Sequence, residues 1–122
     1  MVDLPDDELD PEAGGIAEWA RRFADDADER RVADLVLIAA ELADNARRHA
    51  EGPCRTRVSR VDERRVLRVE VEDGSPSLLP VLGRADDPTA GSGLLLVNRL
   101  SVRWGFDRGG DRKVVWAEVP LA

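Results

Sequence analysis

Cysteine, histidine and methionine each occur once in the 122 residues, and tyrosine is absent. A lone Cys54 excludes a disulfide framework within the chain and a cluster of thiolate ligands. With His49 as the one imidazole, too few ligands remain for a structural zinc site. No apolar run approaches the roughly 20 residues of a membrane-spanning helix. The opening "MVDLPDDELDPEAGG" reverses the basic-then-apolar order of a signal peptide. A cytoplasmic setting with no membrane partner is therefore expected. Basic residues are also in deficit, 18 Lys and Arg against 25 Asp and Glu, for a net charge of −7. That balance argues against direct nucleic-acid binding, which draws on a basic field. It leaves room for a pocket that holds one nucleotide, because local donors can outweigh the global charge.

The length suits one compact domain. Hydrophobic residues at 43% are enough for a core, and 35% charged residues imply a well-solvated exterior. Residues 1–14 read as a flexible acidic lead-in, since acidic, Pro- and Gly-containing chain buries little. Residues 15–122 read as a single domain.

Within it, Ile16, Trp19, Ala20 and Phe23 recur at helical spacing and predict a first amphipathic helix. A second, about Arg31 to Ala50, carries an apolar face of Val32, Leu35, Val36, Ala39, Leu42, Ala43, Ala46 and Ala50. Gly52-Pro53 ends it. The period then changes to two. "CRTRVSRV" and "RVLRVEVED", with "DER" between them, predict a hairpin. Gly74 to Ala90 is rich in Gly, Pro, Ser and Asp and is expected to be a mobile lid. "GLLLVNRL" predicts a buried helix opened by Gly91 and Gly93, and "SVRWGFD" with "KVVWAEVPL" a closing hairpin. The sum is an α+β two-layer sandwich, a mainly antiparallel sheet with helices on one face.

Three stretches could carry chemistry. In "ELADNARRHA", Glu41, Asn45, Arg48 and His49 follow the i, i+4, i+7, i+8 rule and share a helix face with Ile38. A carboxylate there can polarise a hydroxyl, and an amide oxygen can ligate Mg²⁺. A guanidinium can neutralise phosphate, and an imidazole can pack on a base or ribose. Taken alone, the stripe reads as well as a solvated helix face. In "VEVEDGSP", Asp73 ends an alternating strand and could accept from an exocyclic amine such as that of adenine, although Asp-Gly and Ser-Pro equally mark a turn. In "AGSGLLLV", two glycines ahead of an apolar helix let backbone N–H groups approach an anion, or simply ease helix entry. Lys113 reads as an exposed strand residue.

The order of these stretches is more specific than any one of them. It resembles the GHKL ATPase superfamily of gyrase, heat-shock chaperone, histidine kinase and MutL domains. It is most similar to the small anti-sigma-factor serine kinases and their actinobacterial relatives, over about Ile16 to Val119. The resemblance implies a Bergerat ATP-binding fold with ATP and Mg²⁺ as cofactors. It makes Glu41 the catalytic carboxylate and Asn45 the metal ligand. Arg48 is then placed near the phosphates, His49 near the adenosine, and Asp73 on the adenine amine. Ser75, Gly91, Ser92, Gly93 and Leu94 complete the nucleotide-binding set. Ser75 and Ser77 stand where the wider superfamily has glycines, and Ser92 where the actinobacterial branch often has Arg. The short acidic segment ahead of the first helix implies a reduced first strand.

The function implied is that of an ATP-binding anti-sigma-type regulator, a kinase that phosphorylates Ser or Thr on an antagonist protein. The alternative is a non-catalytic or degenerate interaction module that sequesters a sigma factor or another regulator. A homodimer is compatible with either.

Overall fold

The computed structural model describes residues 7–9, 15–49, 55–74, 92–109 and 112–122. Its elements follow in the order β1 (Asp7–Leu9), α1 (Gly15–Phe23), α2 (Glu29–His49), β2 (Arg55–Val61), β3 (Val66–Asp73), α3 (Ser92–Leu100), β4 (Arg103–Gly109) and β5 (Arg112–Pro120). The strands form one sheet in the order β1-β2-β3-β5-β4, and every described pairing is antiparallel. This is the α+β sandwich expected. Within the acidic lead-in, Asp7–Leu9 pairs with Val58–Thr56 as a short edge strand, the reduced first strand that the resemblance implies. Backbone hydrogen bonds to β2 hold it there, and these do not depend on apolar side chains.

α2 packs against β3, β5 and β2, while α1 and α3 flank it. Its start is fixed by Asp28, whose Oδ1 accepts from the Arg30 N–H at 2.9 Å as an N-cap. The Asp28 N–H in turn donates to the Leu121 carbonyl at 2.8 Å, tying the helix entry to the end of the chain. Leu35, Ile38, Ala39, Leu42 and Ala46 of α2 enter the core with Ile16 and Trp19 of α1. Opposite them lie Val58, Leu67, Val69, Val71, Val115, Ala117 and Val119 from the sheet. Strand alternation delivers each of these to the same face. Ile38, which shares a stripe with Glu41 and Asn45, is fully buried, so that stripe borders the core rather than lying wholly in water.

The other face of the sheet is charged. Glu118 of β5 is only 1% exposed. Its Oε2 accepts from Arg64 and from Arg68 (2.9 Å), and its Oε1 from Arg103 (3.2 Å). Arg68 and Arg103 also stack on Trp116, with guanidinium carbons 4.3 and 5.4 Å from the ring centre. Gly105 sits opposite Trp116, and a Cβ there would come within 3.0 Å of the indole. Burial pushes the Glu118 carboxyl up. Hydrogen bonds from Arg64 and Arg68, with the charges of Arg64 and Arg103, outweigh it and hold the group below its ordinary 4.5.

A carboxyl whose pKa is lowered on folding stabilises the fold above its unfolded pKa and loses that contribution as pH falls through the folded one. Glu118→Gln keeps the shape and removes the charge. Because Arg64 and Arg103 are 44% and 55% exposed, the expected loss is about 2 kcal/mol at neutral pH, below that of a fully buried pair. Urea denaturation of parent and variant, at neutral pH and near pH 3, should show the gap shrinking in acid. A gap of equal size at both would contradict the charge network.

Candidate functional site

Glu41 and Asn45 lie one turn apart on α2, both half-buried, between the buried Leu42, Ala43 and Ala46. The helix is anchored along its apolar face, so the two side chains leave a rigid support. Arg48 and His49 follow in the last turn of α2, where only their helical backbone is described.

Asp73 is the last residue of β3 and is 2% exposed. It shares the parity of Leu67, Val69 and Val71, so it points to the helix side of the sheet, not into an open turn. Lys113 on β5 is its register partner. The Lys113 ammonium is 3.6 Å from Asp73 Oδ2, and the two side chains are 3% and 2% exposed. That separation is an ion-pair contact, longer than a hydrogen bond, and Oδ2 is a buried atom with no hydrogen bond. The reading of Lys113 as an exposed strand residue is thereby corrected. Its parity is that of Val115, Ala117 and Val119, all buried, and that alternation is the signal that could have placed it inward.

α3 begins at Ser92, so Gly93 lies inside its first turn and Gly91 just before it. The first-turn N–H groups of Ser92, Gly93 and Leu94 have no partner within the helix, which gives this end its affinity for anions. α3 packs against α2, and α2 against β3. The three elements predicted to carry chemistry are therefore neighbours. Ser75, Gly91 and all of the expected lid beyond Gly74 lie outside the described residues. A groove of about 460 Å³ between α1 and the start of α2, lined by Ala17, Ala20, Ala24 and Val32, includes none of the candidate residues.

Residues 7–119 match the family model described as "Histidine kinase-like ATPase domain". The chain belongs to that family. Among solved structures, the Acinetobacter baumannii histidine kinase AdeS superposes with a TM-score of 0.53 at 16% identity, covering 97% of this chain and 68% of that one. At that identity the likeness concerns the fold. No curated protein matches the chain. Membership implies a bound nucleotide, and the residues present fit one. A buried carboxylate closes β3, an amide stands on the adjoining α2, and α3, which also packs against α2, opens with Ser92-Gly93. No helix among the described residues is long and apolar enough to cross a membrane.

The Asp73–Lys113 pair makes a stability prediction of its own. Removing one partner of a buried pair leaves an uncompensated charge, whereas removing both is nearly neutral. Lys113→Met should cost about 3 kcal/mol, and most of that should return in Asp73→Asn/Lys113→Met. Denaturant titration of the single and double variants checks this, and additive losses would show that the two groups do not interact.

Proposed function

We propose that this domain is an ATP-binding regulator of the anti-sigma type, which transfers a phosphoryl group to a Ser or Thr of an antagonist protein. The observation that carries this reading is the arrangement of two elements. α2 bears Glu41 and Asn45 one turn apart, beside a strand that ends in the buried Asp73. Asp73 would accept from the exocyclic amine of adenine. Asn45 would offer its amide oxygen to Mg²⁺. Among the described residues no three His, Cys, Asp or Glu side chains gather into a cage. This suits a cation held mainly by phosphate oxygens and water, the usual mode for Mg²⁺.

Bound Mg²⁺-ATP supplies the phosphoryl group and an in-line leaving oxygen. Glu41 would take the proton from the attacking hydroxyl as its oxygen bonds to the γ-phosphorus and the bond to the β–γ bridging oxygen breaks, releasing ADP. The N–H groups at the start of α3, fixed before the reaction, would hold phosphate oxygens without reorganising. Arg48 and His49 are assigned to the phosphate and adenosine sides, Ser75 and Gly91 to the nucleotide loops.

A second reading keeps the nucleotide and drops the transfer, leaving a module that sequesters a sigma factor or its antagonist. It is favoured by the first turn of α3, Ser92-Gly93-Leu94, which contributes no cation to the phosphates.

Two substitutions separate the readings. Asn45→Ala removes the metal ligand, so Mg²⁺-dependent ATP binding should weaken by about tenfold or more. Glu41→Ala removes a base that need not touch the ground-state nucleotide, so binding should persist while transfer falls ~10²-fold or more. Alanine is the best helix former, which keeps unfolding out of the comparison. Calorimetry with Mg²⁺-ATP and a phosphotransfer assay on a co-purified partner provide the two readouts. Parent-like binding in both variants would refute the assignment of α2. Binding as expected with no transfer by the parent would favour the module.

A further inference from the structure

We infer that Lys113 is the positioning residue for the base-reading carboxylate, so that the energy gained from the adenine amine depends on the Asp73–Lys113 ion pair. The inference rests on the nucleotide reading above and adds to it a residue outside the three motifs. Three facts carry it. Asp73 and Lys113 are register partners at the last pair of the β3–β5 ladder. Both are almost wholly buried, on the helix side of the sheet. The ammonium stands 3.6 Å from Oδ2.

A side-chain carboxylate can rotate about its last torsion, and that torsion is a broad one. Hydrogen-bond strength falls steeply with angle, so an acceptor free to turn reads an amine poorly. A cation held beside one oxygen removes that freedom. It does so from a strand whose position is set by eight paired residues, not from a loop. The carboxylate is not used up by this contact, since it offers about four lone-pair sites and the ammonium stands beyond hydrogen-bond length. Without Lys113 that restraint is removed, and the orientation of the carboxylate toward a base is loosened.

The experiment compares two nucleotides that differ by one group. ATP carries the exocyclic amine, and purine riboside triphosphate lacks it. Their affinity ratio isolates the amine contact from the phosphates, the ribose and the metal. The parent should favour ATP by about tenfold or more, the scale of one hydrogen bond to a charged group. Lys113→Met should reduce the ratio to about threefold or less while leaving affinity for the amine-free nucleotide within about threefold of the parent. Lys113→Arg, which restores a cation, should recover part of the ratio. Lys113→Gln is measured alongside and carries the test if the Met variant fails to fold. A general structural role would weaken both nucleotides together and leave the ratio unchanged. A ratio in folded Met or Gln variants equal to the parent's, or above it, overturns the inference. A parent that binds neither nucleotide, or binds both equally, instead defeats the assignment of Asp73 to the base, so the two failures are told apart.

Discussion

The antiparallel ladder between β3 and β5 is the constraint on which the other features depend. Eight residue pairs run from Val66↔Pro120 to Asp73↔Lys113. Because side chains alternate, this one register decides which face every residue of both strands occupies. Leu67, Val69 and Val71 meet Val119, Ala117 and Val115 beneath α2. A slip of β5 by one residue would turn Val115, Ala117 and Val119 toward the charged face and bring Glu118 and Trp116 into the apolar layer. The burial of Leu67, Val69, Val71, Val115 and Val119, each contributing about 1.5–3 kcal/mol when fully buried, therefore fixes the register. The register then fixes Asp73 and Lys113. Two charged groups are carried to the helix side by the same alternation that places the valines before them.

β5 thus bears a buried ionisable group on each face, Lys113 on the inner and Glu118 on the outer. Their surroundings differ in a way that separates structural from functional use. Glu118 accepts from three guanidiniums, and two of these also clasp Trp116, so its charge is answered several times over. Such a network, closed on itself, reads as a brace for the charged face. Asp73 and Lys113 face each other in an ion-pair contact too long for a hydrogen bond. Moving a carboxylate and an ammonium out of water costs several kcal/mol each, so a buried ion pair is by itself weak evidence of a role in stability.

The sequence made most of this visible because its signals were periodic. The eight apolar positions of the long helix, the two alternating runs around "DER" and the glycines of "AGSGLLLV" each stated a period or a break. The elements appear within two residues of the expected bounds for α2 and for β3. What was missed was aperiodic or outweighed. Lys113 belonged to a buried parity, yet lysine's strong tendency to be exposed obscured it. Ile38 read as part of a polar stripe because four polar residues follow it on that face, while its own packing under the helix put it in the core. The arginines around Glu118 come from β3, β4 and the turn between β2 and β3, and no local pattern joins them.

The same architecture divides the work of the proposed site between sheet and helix. Whatever reads the base is held by a strand pair in the middle of the sheet. Whatever moves a proton or holds a metal projects from α2, whose start is capped by Asp28 and fastened to Leu121. The two supports meet through the core and through the hydrogen bond from Asp28 to Leu121, just past the end of β5. A change on the helix at Glu41 leaves the Asp73–Lys113 end of the ladder intact, and a change at Lys113 leaves the helix in place. Binding and transfer can then be lost separately, and a lineage could give up transfer without disturbing recognition. This chain has both a carboxylate at 41 and an amide at 45, one turn apart and half-buried against the core. In the proposed site a negative charge beside the triphosphate would weaken ground-state binding, so a catalytic role would account for Glu41 where simple capture would not.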